Sequence, residues 1–343
     1  MNETVKLILK TALPAAIGIG VVAWLFGNEF SLSRFTQIPW TAHTIAAIAL
    51  AWLCMAGREW GMMWRLRVLT DRELSWRSTF KITMMCEFTS AITPTTAGGS
   101  ALSMIFLNRE GISMGRSTTL TMVTLMLDEL FMTISCPIVF LLVPYRELLG
   151  FGESAFTSGV TTAFWIVYAG ICLVTLLLYM GAFVAPHRIA AGLDRLFRLP
   201  LIRRWHHKVS DLGRSMISTG ADLKKRPAKW WFEAFSATAT TWISRFLVVN
   251  ALFWGFAEAA PQLVVLCRQF IVWTLLTVSP TPGGSGVSEW LFTNYYGDLI
   301  ANISMVLVIA VLWRIITYYV YLIIGVILVP HWLKGKKKNG APE

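Results

Sequence analysis

One stretch decides how this 343-residue chain folds: Ser279-Pro-Thr-Pro-Gly-Gly-Ser-Gly-Val-Ser-Glu289. Its prolines remove backbone donors, and its glycines permit conformations that residues with a Cβ avoid. These residues are Pro280, Pro282, Gly283, Gly284 and Gly286. The stretch lies between two apolar runs, and irregular backbone that faced lipid would leave its N–H and C=O groups unsatisfied. We therefore expect it to be buried in protein or to line a wet cavity.

Composition indicates a membrane protein around this stretch. Hydrophobic residues make up 55% of the chain and charged residues 14%, whereas about a quarter of a soluble domain is charged. The net charge of +11 would suggest nucleic-acid binding in a soluble protein. Here the basic residues cluster between apolar runs, which is typical of cytoplasmic loops. The five cysteines show no metal-site or disulfide spacing. We expect no nucleic-acid partner, metal or cofactor.

Six apolar segments are predicted to span the membrane, since each reaches the roughly 20 residues that a spanning helix needs. They are residues 5–27, 41–64, 118–143, 160–185, 230–256 and 300–329. A basic stretch from Arg58 and Arg65 to Lys81 follows the second segment, and residues 186–229 hold eleven Lys and Arg but three acids. The positive-inside rule places both termini in the cytoplasm, at a bacterial or archaeal plasma membrane.

Two further apolar segments are broken in the middle. Residues 82–107 contain Thr93-Pro-Thr-Thr-Ala-Gly-Gly99, and residues 263–296 contain the stretch quoted first. Basic residues flank the first segment at both ends, whereas the turns beside the second carry no Lys or Arg. We therefore predict two re-entrant helical hairpins, one entering from the cytoplasm and one from the opposite face.

Symmetry organises these segments. Residues 41–143 predict an inward span, a hairpin and an outward span, and residues 230–329 predict the same order with inverted direction. An inverted-topology repeat of this kind is common in secondary transporters. The fold class is thus an all-α polytopic membrane protein, with one domain over residues 1–330. Span 160–185 and basic loop 186–229 join the repeats, and residues 331–343 form a basic cytoplasmic tail.

Ionisable residues inside spans usually face a cavity or one another. The candidates are Glu87, Asp128, Glu129, Arg245, Arg268, Glu289 and Arg314. Glu289 begins the half-helix after the glycines, where a free helix N-terminus favours an anionic group. Arg314 is its natural partner. Two interpretations stay open, because these charges either bind a charged substrate or only pair and fix helix packing.

Three motifs resemble the lysylphosphatidylglycerol synthase transmembrane family, a flippase-like domain found alone or fused to a lipid aminoacyltransferase. They are the segment from Ile92-Thr-Pro-Thr-Thr-Ala-Gly-Gly-Ser-Ala101 to Leu107-Asn-Arg-Glu-Gly111, the Pro-x-Pro-Gly-Gly-x-Gly-x-x-Glu pattern ending at Glu289, and Arg314-Ile-Ile-Thr-Tyr-Tyr319 with Gly325. The resemblance covers about residues 5–330. Asp128-Glu129 departs from it, since the family commonly places an acid followed by Arg there. The resemblance implies lipid translocation between leaflets, and without a following aminoacyltransferase domain we expect no lipid aminoacylation.

We therefore expect a flippase or lipid transporter, not an enzyme, that moves a phospholipid or a polyprenyl-linked lipid through a midplane cavity. Thr93, Pro94, Gly98, Gly99 and Tyr318 would line this cavity together with the second stretch and the charges. One alternative is a membrane-embedded enzyme or accessory subunit acting on a lipid-linked substrate, although its acids lack a histidine partner. Another is a membrane scaffold. Expected partners are membrane lipids with anionic or aminoacylated headgroups, and a homo-oligomer or a lipid-modifying enzyme also fits.

Overall fold

The computed structural model describes residues 40–93, 97–149, 155–196, 223–257, 259–281, 283–300 and 303–334. The predicted span 5–27, Pro94, Pro282 and most of the basic loop and tail lie outside these residues. The described part is helical without a strand, which confirms the all-α prediction. Its helices are α1 Ala42–Leu69, α2 Trp76–Ile92, α3 Ala97–Arg109, α4 Met114–Leu142, α5 Tyr145–Leu149, α6 Ala155–Tyr179, α7 Pro186–Leu196, α8 Ala228–Phe256, α9 Gln262–Leu276, α10 Val287–Tyr296, α11 Ile303–Arg314 and α12 Val320–Lys334.

Several helices suit a multi-pass membrane protein. Three segments of the described part are long and apolar enough to cross a bilayer: Met114–Leu142, Ser158–Tyr179 and Met305–Leu328. Helices α1 and α8, with 28 and 29 residues, are also long enough to cross a bilayer. Their mean hydropathy is lower because they contain arginines and other polar residues. Such residues in a spanning helix usually face the interior of the protein rather than lipid.

The α1 and α8 helices form the main helix pair, and they run antiparallel. Gly57 faces Ser244, Gly61 faces Thr241, and Ala47 near the start of α1 faces Gly255 near the end of α8. A Cβ on Gly61 would lie 2.9 Å from the Thr241 backbone nitrogen. Small residues at such positions let two helix backbones approach closely, which favours van der Waals packing where no water drives association.

Both predicted breaks separate a pair of packed helices. Helix α2 ends because Thr93, which precedes a proline, is extended (φ −101°, ψ 145°). Helix α10 begins after Gly286, whose φ of +78° favours glycine. Helix α2 packs on α3, and α9 packs on α10. One detail differs from the prediction: Gly98 and Gly99 lie within α3 rather than in the break, because the helix already resumes at Ala97.

The last long segment contains a local defect. A π-helical turn, Ile315–Tyr319, joins α11 to α12, so that the helical backbone is continuous from Ile303 to Lys334. Turns of this type occur frequently at functional sites, because the extra residue changes where side chains point. Helix α12 packs on α2, and a Cβ on Gly325 would overlap the Phe88 ring at 1.9 Å. Helix α12, on the C-terminal side of the second break, is thereby held against α2, which precedes the first break.

Candidate functional site

The two broken stretches touch each other. The Gly283 N–H donates a hydrogen bond to the Thr93 carbonyl oxygen at 3.4 Å. Gly283 has φ +56°, and a Cβ there would lie 2.0 Å from Cε2 of Tyr318. The Tyr318 hydroxyl in turn donates to the Ala91 carbonyl oxygen at 3.1 Å. The Tyr318 ring therefore packs on one stretch while its hydroxyl binds the other.

Arg314 fastens the second stretch from the last long segment. Its Nη1 donates to the Gly283 carbonyl oxygen and its Nη2 to the Ser285 hydroxyl, each at 3.1 Å. Its Nε lies 2.5 Å from Glu289 Oε1, so the ion pair expected from the sequence is present. The guanidinium also lies 3.9 Å from the centre of the Tyr318 ring. A single buried cation thus connects the loop backbone, the Glu289 carboxylate and an aromatic face.

Glu289 has two roles at once. Its Oε2 accepts hydrogen bonds from the Gly286 N–H at 2.7 Å and from the Ser288 hydroxyl at 2.9 Å. These contacts cap the N-terminus of α10, where a carboxylate is favoured by the helix dipole. The helix N-terminus expected to attract an external anion is therefore occupied by its own acid.

A small cavity of about 60 Å³ lies beside this loop. Its charged residues are Glu87, Arg245 and Arg314, and aromatic side chains cover much of the remaining wall. The lining consists of Glu87, Ser90, Ala91, Arg245, Trp273, Leu276, Ser279, Thr281, Gly283, Gly284, Trp313, Arg314, Thr317, Tyr318 and Tyr321. The second stretch thus contributes to this cavity through Ser279, Thr281, Gly283 and Gly284, whereas the first side contributes Ser90 and Ala91 of α2 and its described Thr93 lines neither cavity.

A larger cavity of about 250 Å³ lies between α1, α2, α4 and α8. Asp128 on one wall binds Arg65 Nη1 at 2.5 Å and also accepts from the indole nitrogen of Trp242 at 2.8 Å. Glu129, the next residue, lines the same cavity and makes no ion pair or hydrogen bond within the described part of the chain. Of the three carboxylates that line this cavity, Glu87 and Asp128 pair with arginines, and Glu129 is open to a ligand.

A second set of ion pairs lies in the wall that the small and the larger cavity share. Arg58 donates to Glu87 Oε1 at 2.7 Å and also pairs with Glu59. The Tyr321 hydroxyl donates to Glu59 Oε1 at 2.6 Å. Glu87, Ser90 and Arg245 line both cavities. Charges that would be costly in an apolar bilayer are thus grouped where they compensate one another.

Two sequence-based assignments are wrong. The charge pattern assigns Arg58 and Arg65 to a cytoplasmic basic stretch, yet they lie within α1 and are only 2% and 4% exposed. Their seven-residue spacing puts them on one helix face, a signal that the sequence already contains. The sequence also groups Arg268 with the midplane charges. In the structure, however, Arg268 binds Asp298 at 2.6 and 2.9 Å. Asp298 follows the C-terminal end of α10, which is the end away from the broken loop.

The remaining candidates are dispersed. Pro280 is exposed and lines neither cavity, while Pro94 and Pro282 lie outside the described residues. Gly286 is exposed at the cap of α10. The described part contains no group of three or more potential metal ligands, and no histidine of that part lines either cavity. Paired ions and hydroxyls are grouped within a mostly apolar lining, an arrangement suited to solvating a polar group inside the membrane.

Comparisons with known proteins agree with this membrane architecture. The sequence pattern of the family described as "Lysylphosphatidylglycerol synthase TM region" matches residues 11–325. A "UPF0104 membrane protein" from Archaeoglobus fulgidus is 25% identical over 340 residues, covering 94% of this chain and 96% of that protein. No solved structure matches the chain.

Proposed function

Because this chain belongs to the lysylphosphatidylglycerol synthase transmembrane family, we propose that it moves a polar-headed lipid between the two leaflets of a plasma membrane. The lipid headgroup would pass through the two cavities while the acyl chains stay in the bilayer. One observation carries the proposal. The broken stretches meet at Gly283 and Thr93, beside cavities that hold charged side chains among apolar helices, and a polar headgroup needs such charged groups at the bilayer centre.

The proposed architecture has six spans, two re-entrant hairpins and cytoplasmic termini. In it, α2–α3 enters from the cytoplasm and α9–α10 from the opposite face. The antiparallel packing of α1 on α8 supports this arrangement, since the first spans of two inverted repeats must run in opposite directions. Residues 41–143 and 230–329 would then rock against each other about this pair.

In this mechanism the contact between the two stretches is a closed gate. Arg314 holds the gate through the Gly283 carbonyl oxygen, the Ser285 hydroxyl and Glu289. Separation of the two stretches would open the small cavity to the opposite face of the membrane and let the headgroup cross. The chain would act as a transporter and not as an enzyme, with membrane lipids as its partners.

A liposome assay tests the proposal. The full-length protein is reconstituted with a fluorescent phosphatidylglycerol, and dithionite added outside bleaches only the outer leaflet. Wild-type protein should expose the inner-leaflet probe. Glu289→Gln should slow this exposure at least about tenfold, because a buried arginine loses its counter-ion and the gate loses its geometry.

Glu73→Gln is the matched control. Glu73 is half exposed to solvent and pairs with Arg116 outside both cavities. We therefore expect the Glu73→Gln protein to expose the inner-leaflet probe at the wild-type rate. Equal rates for wild type and for folded Glu289→Gln and Arg314→Ala proteins would refute the assigned gate. A wild-type rate equal to that of protein-free liposomes would refute lipid translocation of this probe.

A further inference from the structure

Arg245 is partly buried and differs from the buried arginines of the described helices. Arg58, Arg65, Arg268 and Arg314 each pair with a carboxylate at hydrogen-bond distance. Arg245 makes no ion pair and no hydrogen bond within the described residues, and its Nε is buried without an acceptor. Donors that are buried without an acceptor are costly, and an anion that enters the cavities lined by Arg245 would relieve that cost.

Aromatic side chains hold Arg245 in place. Its guanidinium carbon lies 3.8 Å from the centre of the Trp273 ring and 5.6 Å from that of Trp242. Trp242 is itself fixed by its hydrogen bond to Asp128. A guanidinium stacked on a ring keeps its in-plane N–H donors free, and this planar fork matches the oxygens of a phosphate. The aromatic contacts therefore orient the cation without neutralising it.

The charges around Arg245 leave it as the free cation of the shared wall, among the residues that the structure describes. Arg58 lies nearby and repels it, while Glu59 and Glu87 attract it. Those two acids are already hydrogen-bonded to Arg58. Across the larger cavity, Asp128 is bound by Arg65, and Glu129 completes the charged lining. A ligand anion at Arg245 would thus take the guanidinium donors that make no hydrogen bond to these acids among the described residues.

An apolar groove of about 530 Å³ beside the larger cavity favours a lipid as the source of that anion. Helices α4 and α6 supply most of its lining, which comprises Met126, Leu130, Thr133, Cys172, Thr175, Leu176, Tyr179, Phe183 and Trp231. Glu129 lies about 60° from Met126 around α4, because successive residues are about 100° apart. On α6, Ile171 lines the cavity and Cys172 lines the groove. The groove and the cavity therefore adjoin along these two helices.

We propose that Arg245 binds a phosphate group carried into the larger cavity, and that a lipid phosphodiester with an acyl chain in the α4–α6 groove supplies it. This inference rests on the proposed function and specifies its substrate class. The binding step requires neither gate opening nor transport. It can therefore be tested while the contacts of Arg314 stay intact.

The test is a binding titration of full-length protein in detergent, followed by tryptophan emission, since Trp242 and Trp273 flank Arg245. The three probes are dioctanoyl phosphatidylglycerol, dioctanoylglycerol and inorganic phosphate. We expect the phospholipid to bind, and Arg245→Gln to weaken its binding at least about tenfold, as loss of a charge-assisted contact implies. Arg245→Lys should recover part of the affinity, because it keeps the charge without the fork.

Arg226→Gln is the matched control, because Arg226 pairs with Asp71 outside the cavities and groove. It should bind the phospholipid as wild type does. Ligand-free Arg245→Gln should unfold at or above the wild-type temperature, since it removes a partly buried cation that makes no ion pair with the described residues. A lower temperature together with unchanged affinity would show a structural role and overturn the proposal.

The probes separate the remaining outcomes. Equal binding of dioctanoylglycerol and phospholipid would overturn the phosphate site. Binding of inorganic phosphate alone through Arg245 would support the phosphate site and overturn the lipid source. Loss of phospholipid binding in Arg245→Gln, with no wild-type transport in liposomes, would uphold this site and refute the proposed function. Wild-type transport in liposomes, together with phospholipid binding that does not depend on Arg245, would uphold the proposed function and refute this site.

Discussion

Gly283→Ala probes the contact between the two broken stretches. Two costs follow from the structure. The residue has φ +56°, and a left-handed backbone costs a residue with a Cβ about 1–2 kcal/mol. The new Cβ would also lie 2.0 Å from Tyr318 Cε2, and overpacking of this kind costs about 1–3 kcal/mol. Together they predict a loss of about 2–5 kcal/mol in the free energy of unfolding.

The steric part is large because Tyr318 cannot easily move. Its hydroxyl is held by the Ala91 carbonyl oxygen at 3.1 Å, and Arg314 lies against its ring at 3.9 Å. Movement of the ring would break the hydroxyl contact and separate the aromatic face from the cation. Gly283→Ala should therefore destabilise the gate and the protein together.

Gly286→Ala is the matched control. Gly286 also has a positive φ, +78°, but nothing lies within 4 Å of the position that a Cβ would take there. With φ +78° and ψ −47° this residue lies outside the left-handed helical region, so the variant should lose only the cost of a sparsely populated backbone conformation, about 1–3 kcal/mol. Equilibrium unfolding in mixed micelles, followed by tryptophan fluorescence, measures both variants. In a Tyr318→Leu background, the cost of Gly283→Ala should fall by about 1 kcal/mol or more. A cost of Gly283→Ala that is unchanged in the Tyr318→Leu background would refute the steric argument.

Two further predictions test the helix packing and the topology. Gly61→Ala should lower the free energy of unfolding by about 1–3 kcal/mol, because its Cβ meets the Thr241 backbone at 2.9 Å. Gly170→Ala in α6, with nothing within 4 Å, should be neutral or stabilising by up to about 1 kcal/mol; equal effects would contradict the close packing of α1 and α8. In a background without the five native cysteines, Gly115→Cys and Gly297→Cys should react with an impermeant maleimide from opposite faces of the membrane. Labelling of both from one face would rule out the inverted repeat.

The broken stretches were predictable because their cause is local. Proline removes a backbone donor and restricts the preceding residue, so the end of α2 at Ile92 follows from the residues around it. The cap of α10 by Glu289 is local too, since the carboxylate binds the backbone three residues earlier. The position of Gly98 and Gly99 was less predictable, because packing of α3 on α2 and α4 can outweigh the weak helix propensity of glycine.

The all-helical membrane class and the two breaks follow from the residues alone, since apolar length and proline act on nearby residues. The pairing of Glu289 with Arg314 was predicted because opposite charges inside apolar segments usually meet, although the contact itself joins α10 to α11. Which arginines are interior depends on the tertiary arrangement. Arg65 meets Asp128, 63 residues away, and the α1 face that carries it is buried by α8. Positive charge near the end of an apolar segment favours a cytoplasmic loop until a carboxylate from a distant helix compensates its burial. The same reason separates Arg245 from the rest, because only the spatial arrangement shows that the neighbouring acids already bind other partners.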